Sequence, residues 1–183
     1  MKLTPEQVNK VLQKAECLYS REQVESAIEE LAGKISEKLA DENPLVLCVM
    51  TGALIPMGIL LTHLNFPLQI DYIHATRYGN ETAGSELKWI SQPHGSLTDR
   101  TVLIVDDILD EGLTLDAIIR ECEKLGARKV YSAVLVEKRH ERNIGISADY
   151  VGLQVEDRYV FGYGMDYKGF LRNAPGIYAV NEQ

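Results

Sequence analysis

The chain has 183 residues, 45% of them apolar, and its 19 basic and 27 acidic side chains leave a formal net charge of −8. That length fits one ordinary domain, and the apolar share is enough to fill a core, which excludes global disorder. The acidic balance repels nucleic acid and anionic membrane, so neither is an expected partner, while a small anionic ligand stays compatible with it.

Thr4-Pro5-Glu6 reads as a helix start, with Thr4 as N-cap, proline in the first turn and an acid near the positive end of the dipole. Val8, Val11, Leu12, Ala15 and Leu18 then recur at helical spacing. A second start is Ser20, with Gln23 three residues on as a capping box, followed by the apolar stripe Val24, Ile28, Leu31, Ile35 and Leu39. From Asn43-Pro44 the pattern changes. Residues 45–50 are a continuous apolar run of strand length, as in a strand covered on both faces. Thr51-Gly52 breaks the run and an apolar helical segment continues to about Leu64. Residues 68–75 alternate as a second strand, and the polar, glycine-containing stretch after them reads as a loop. Residues 101–105 form a third strand, residues 115–125 a helix that stops at Gly126, and residues 130–136 a fourth strand. Strands alternating with helices predict an α/β fold with a mostly parallel sheet, whose ligands bind beyond the carboxyl ends of its strands.

No run reaches the ~20 apolar residues of a membrane span, and the N-terminal residues lack the apolar stretch of a signal peptide. Cys17, Cys48 and Cys122 form no CxxC pair, so the expectation is a cytoplasmic protein with reduced thiols rather than a disulfide or zinc scaffold.

The segment after the third strand carries the chemistry. It reads Val102-Leu103-Ile104-Val105-Asp106-Asp107-Ile108-Leu109-Asp110-Glu111-Gly112-Leu113-Thr114-Leu115. A buried strand delivers two adjacent carboxylates, and a short turn with Gly112 and Thr114 opens a helix. Backbone N–H groups at a helix start bind anions, and glycine lets the backbone approach a phosphate closely. The carboxylates suit hydroxyls or a hydrated Mg²⁺. The magnesium strand of a P-loop NTPase also ends in acids, but its G-x-x-x-x-G-K-[ST] partner is absent here. Helix capping explains one acid, not three in this order with a glycine and a threonine.

Residues 102–115 resemble the phosphoribosyl-pyrophosphate (PRPP) signature of the type I phosphoribosyltransferases. Val136-Glu137-Lys138-Arg139 and residues 156–172 narrow the resemblance to the hypoxanthine-guanine branch. It implies that fold, with a core of about residues 42–155 and a small hood from residues 156–183 and part of residues 1–41. It implies Mg²⁺-dependent transfer of the phosphoribosyl group of PRPP to N9 of hypoxanthine or guanine, giving the nucleoside monophosphate and pyrophosphate. Asp106 and Asp107 would hold the ribose hydroxyls, directly or through the metal, and the Asp110, Glu111, Gly112, Leu113 and Thr114 backbone would cradle the 5′-phosphate. Asp110 would face N7 of the base, as general base or as a stabiliser of positive charge. Lys138 would donate to the 6-oxo group, Tyr159 would stack on the ring, and the Val160 backbone would contact its pairing edge. Asp166 would help bind Mg²⁺ near the purine, Arg172 would contact pyrophosphate, and Thr51-Gly52 matches the pyrophosphate loop. Tyr159 as core filling, and Lys138, Asp166 and Arg172 as ordinary surface charges, are the readings these residues would take alone. The four histidines show no ligand spacing and take no role.

Several positions depart from the commoner pattern of that family. Thr51 stands where many members have lysine, and Arg77-Tyr78 where many have Ser-Tyr. Glu111 and Leu113 replace a frequent threonine and lysine, and the Glu111 side chain is expected to point away from phosphate. Arg77 is the expected substitute for the missing lysine. Replacing it with alanine should raise the KM for PRPP in steady-state assays, and an unchanged KM would remove it from the site. Residues 78–96 are expected to form a lid that excludes water. Family members are commonly dimers or tetramers, so a homo-oligomer is expected. The rival functions are a PRPP- or nucleotide-sensing regulator on the same fold and a xanthine or pyrimidine phosphoribosyltransferase. Asp110 and the acidity speak against the first, and residues 159–172 against the second.

Overall fold

The computed structural model describes residues 3–77 and 87–181, with the backbone alone at residues 76, 77, 87 and 88. Thr4 Oγ1 accepts from the Gln7 amide (3.3 Å) while the Thr4 amide donates to Gln7 Oε1 (2.8 Å). This capping box starts α1 (Pro5–Lys14). The apolar spacing predicted helix as far as Leu18, but the chain turns at Ala15 into β1 (Glu16–Ser20). The cause lies at the other end of the sequence. β9 (Gly176–Ala179) pairs with β1 in antiparallel register, Cys17 opposite Tyr178 and Tyr19 opposite Ile177. Ladder bonds to that strand outweigh a weak helical preference. Ser20 then closes β1 and caps α2 (Arg21–Leu39), its capping box with Gln23 formed as the sequence predicts. The stripe Val24, Ile28, Leu31, Ile35 and Leu39 is buried.

The main sheet has six strands: β2 (Leu45–Met50), β3 (Gln69–Arg77), β4 (Leu87–Ser91), β5 (Thr101–Leu109), β6 (Lys129–Arg139) and β7 (Tyr150–Glu156). Their spatial order is β4-β3-β2-β5-β6-β7, parallel throughout except for β4, which runs antiparallel to β3. The crossovers carry α3 (Leu54–His63) and α4 (Leu113–Lys124). β2 and β5 are central, and Val46, Leu47, Val102, Leu103 and Ile104 are fully shielded from water, which accounts for their continuous apolar runs. α2 packs against α3 and β7. A second, three-stranded sheet joins β1, β9 and β8 (Val160–Phe161), so the two ends of the chain meet in it.

Three strands outrun their predicted ends, β3 by two residues to Arg77 and β5 and β6 by more. β5 continues to Leu109 and pairs with β6 through Asp106 opposite Val134 and Leu109 opposite Glu137. The acids therefore sit within the ladder rather than after it. β6 continues to Arg139, with Lys138 opposite Val155 of β7. β6 supplies the backbone partners that carry β5 past Val105, where its pairing with β2 ends, and β7 carries β6 on to Arg139. The expected lid divides. Residues 78–86 lie outside the described residues. Residues 87–91 are sheet, and the amides of His94 and Gly95 donate to Asp71 Oδ2 (2.6 and 3.3 Å), which ties the rest of the stretch down.

Candidate active site

A cavity of about 450 Å³ opens at the carboxyl ends of β2 and β5, where a parallel sheet receives its ligands. Thr51 and Gly52 form one wall, residues 106–114 the floor, and Asp166 and Arg172, from the segment joining β8 to β9, the far wall. Gly112 is the N-cap of α4 at φ +88°, and no side chain caps the helix. The first-turn N–H groups therefore remain available to an anion. A Cβ on Gly112 would meet Ile146 Cβ at 3.0 Å. Glycine is required there by the positive φ and by the loop behind it as much as by any ligand in front.

Asp106 is only 7% exposed, and its Oδ1 accepts from the Asp107 amide at 2.8 Å. Burial pushes both carboxyls above the usual range, Asp106 furthest because the negative charge of Asp107 adds to the desolvation. Among the described residues, the cation paired with these acids is Arg172. Its Nη1 lies 3.8 Å from Asp107 Oδ2 and donates to the Gly164 carbonyl (2.5 Å), and its Nη2 contacts Asp166 Oδ1 at 2.7 Å. Asp166 Oδ2 accepts from the Gly169 amide (2.6 Å). A Cβ on Gly164 would fall 1.9 Å from the Gly52 carbonyl oxygen. The chain between β8 and β9 thus rests backbone to backbone on the loop after β2, and this contact brings Arg172 and Asp166 over the β5 acids. Thr51 is exposed and follows a cis Met50–Thr51 peptide bond.

Asp110 has both carboxylate oxygens engaged. Lys138 Nζ donates to Oδ2 at 2.8 Å, and His140 Nε2 lies 2.5 Å from Oδ1. Arg142 Nη2 is 3.8 Å away. Partial burial pushes the Asp110 carboxyl up, but the hydrogen bonds from Lys138 and His140, together with the Lys138 charge, outweigh it and hold it below the usual carboxylate range. The group stays ionised near neutrality. Lys138 is 13% exposed and 3.9 Å from Asp157, which Arg142 grips with two bonds of 2.8 and 2.9 Å. Ligand atoms of Asp110, His140 and Asp157 lie within 4.8 Å of one another, but Lys138 and Arg142 already neutralise those carboxylates. Glu111 turns a carboxylate oxygen to 3.9 Å from Arg142.

Tyr159 is half-exposed, its ring edge-on to Tyr167 at 5.4 Å between centroids. That exposure removes core filling as its role. Val160 is buried in β8 opposite Ala179. Leu113 and Thr114 open α4 at the cavity floor. Arg77 ends β3, and its side chain lies outside what the structure describes. The structure thus gathers Thr51, Gly52, Asp106, Asp107, residues 110–114, Asp166 and Arg172 around one cavity, with Lys138 joined to it through Asp110. Sequence reasoning missed His140, Arg142 and Asp157. A signal for His140 was present. Lys138 and His140 are two apart in an extended segment and therefore point to one side.

Residues 15–168 match the model of the phosphoribosyl transferase domain family. The chain is 35% identical over 161 residues to a hypoxanthine-guanine phosphoribosyltransferase of Bacillus subtilis, covering 87% of this chain and 89% of that one. It is 32% identical over 166 residues to a hypoxanthine-guanine-xanthine phosphoribosyltransferase of Tritrichomonas foetus, covering 90% and 91%. Among solved structures, a hypoxanthine-guanine phosphoribosyltransferase from Bacillus anthracis superposes with a TM-score of 0.86 at 32% identity, covering 91% of this chain and 98% of that one.

Proposed function

This chain belongs to the phosphoribosyl transferase family, and we propose how its residues divide the transfer of a phosphoribosyl group from PRPP to hypoxanthine and guanine, a purine-salvage reaction. The observation that carries the assignment is one cavity that joins an uncapped helix start, a buried acid pair with an arginine, and an ionised Asp110 bonded to a lysine.

The backbone of residues 110–114 and the Thr114 hydroxyl hold the 5′-phosphate at the start of α4, where N–H groups and the helix dipole favour an anion. Asp106 and Asp107 hold the ribose hydroxyls. Arg172 and the Thr51-Gly52 backbone receive pyrophosphate, with Arg77 adding positive charge. Two adjacent, largely buried carboxylates with raised proton affinity are hard oxygen donors suited to a divalent cation. Asp106, Asp107 and Asp166 would hold Mg²⁺, which when bound supplies neutralisation of charge on the departing pyrophosphate. Tyr159 offers its exposed ring for stacking, the Val160 backbone meets the pairing edge of the purine, and Asp166 lies close to the ring as well.

Asp110 is suited to stabilising positive charge. Two donors already lower its proton affinity, so its fixed negative charge beside the reaction centre favours the oxocarbenium-like state and a protonated N7. Lys138, already desolvated, supplies an ammonium for the 6-oxo group. The same ammonium would face the amino donor of adenine, and mispaired buried donors are rejected by roughly 100-fold or more. Adenine should therefore turn over at least about 100-fold less efficiently than hypoxanthine in kcat/KM, and comparable values would overturn the Lys138 assignment. The regulatory reading on this fold leaves this buried donor arrangement without a use.

The β1-β9-β8 sheet supports a hood built from both chain ends over the core of residues 42–155. Exposed Leu54, Ile70 and Tyr72 beside an apolar groove support a homodimer or tetramer, which a solution mass measurement tests. The unpaired Cys17, Cys48 and Cys122 fit a cytoplasmic location. No helix among the described residues is long and apolar enough to cross a membrane.

A further inference from the structure

We propose that His140 is a positioning residue for the reaction, locked in one tautomer so that it fixes the Asp110 carboxylate beside the purine site; this rests on the role given to Asp110 above. The side chain of His140 is 5% exposed. The Arg142 amide donates to His140 Nδ1 at 3.1 Å, which makes Nδ1 an acceptor. In the neutral ring the proton is then on Nε2, and Nε2 donates to Asp110 Oδ1 at 2.5 Å. Protonating Nδ1 would set an N–H against an N–H, so the backbone itself selects the tautomer that can hold Asp110.

The loop containing His140 grips the same turn at further points. The Asn143 side chain donates through Nδ2 to the Asp110 carbonyl (3.5 Å), and the Ile144 backbone amide donates to the Glu111 carbonyl (3.0 Å). Asn143 Oδ1 accepts from the Gly145 and Ile146 amides (2.8 and 2.9 Å), which rigidifies the loop. His140 is the member of this clamp that reaches the reactive carboxylate. Lys138 holds the other oxygen, but Lys138 is also the group offered to the purine. When a base draws on that ammonium, His140 remains as the partner whose only bond on this side is to Asp110.

The charged groups facing this pair are Lys138 on β6, Arg142 and Glu111 on the flanking loops, and Asp157 after β7. Arg142 Nη2 also faces Oδ1, but at 3.8 Å it is outside hydrogen-bond range, whereas His140 Nε2 is within it. His140→Leu removes the donor and keeps an apolar filler; His140→Gln keeps an N–H of similar reach. His140→Leu should lower kcat by about 10-fold or more with the KM for PRPP within about 2-fold, because a charge-assisted bond to a carboxylate is lost while phosphate contacts stay. The acid limb of its kcat–pH profile should move to higher pH, since the anion has lost a stabilising donor. His140→Gln should restore most of kcat and return the limb towards its original position. In an Asp110→Asn background His140→Leu should cost little more, as residues acting through one group are not additive. Unchanged kcat and pH profile in a folded His140→Leu variant overturn the proposal, and so does a failure of His140→Gln to restore them. If Asp110→Asn alone keeps full activity, the fault lies in the role of Asp110.

Discussion

Asp110→Asn should lower kcat by about 100-fold or more while leaving the affinity for PRPP largely intact, the pattern of a group whose charge acts in the transition state. The two oxygens of Asp110 accept from Lys138 Nζ and His140 Nε2. Asparagine retains one acceptor and turns an NH₂ towards one of these donors, so a favourable bond becomes a repulsive contact and the negative charge is lost. The 5′-phosphate contacts proposed above, in contrast, come from the backbone of the same turn and should survive the substitution. Steady-state kcat combined with direct PRPP binding separates these effects. Full activity, or loss of PRPP binding with kcat unchanged, would remove Asp110 from the chemistry. The pH dependence has a definite sign. The Asp110 carboxyl is held below its usual range, so its stabilising effect is complete above the range of a free carboxylate and is lost as pH falls through its folded value. Its ionisation leaves kcat unaffected through neutrality, and activity dependent on it declines on acidification.

Asp106→Asn should separate stability from function in opposite directions. Asp106 is buried beside Asp107, and desolvation together with that neighbour raises its carboxyl well above the usual range. For an acid shifted this way the unfolded chain ionises first as pH rises, so the folded state loses stability between the unfolded and folded values. Asparagine removes that cost and can keep the oxygen that accepts from the Asp107 amide. The ligand-free variant should therefore melt about 2–4 °C or more above the parent at neutral pH, the size expected for roughly 1 kcal/mol in a chain of this length. The variant should also lose about 100-fold or more in kcat/KM, because it lacks one of the oxygen donors proposed for the ribose hydroxyls and the cation. Adding Mg²⁺ with PRPP should raise the melting temperature of the parent by mass action and that of the variant much less. A variant that melts lower than the parent without ligands, or keeps normal turnover, would show that the acid pair is structural.

Much of this was legible in the chain. The runs at residues 45–50 and 101–105 read as central strands because parallel strands covered on both faces tolerate only apolar side chains. Asp106, Asp107 and Gly112-Leu113-Thr114 were legible because three polar demands, for a hydroxyl, a cation and a phosphate, fall within nine consecutive residues. What stayed hidden depends on partners distant in sequence. Leu18 fits the spacing of α1, and only the pairing of Cys17 and Tyr19 with Tyr178 and Ile177 turns that segment into a strand. Residues 87–91 carry too little apolar alternation to stand out from a polar loop, and they become sheet because β3 offers an edge. In the sequence His140 shows no ligand spacing with the other histidines and takes no role. It meets Asp110 only because β5 and β6 are neighbours and bring Asp110 and Lys138 side by side. Arg172, likewise, reaches the acids only through the close seating of Gly164 on Gly52.

The most direct test of the central claim is to incubate the protein with PRPP, Mg²⁺ and each purine base and to measure nucleoside monophosphate and pyrophosphate together. The expected result is equimolar inosine or guanosine monophosphate and pyrophosphate from hypoxanthine or guanine, with adenine close to background. Tight binding of PRPP without nucleotide formation from either 6-oxopurine would contradict it.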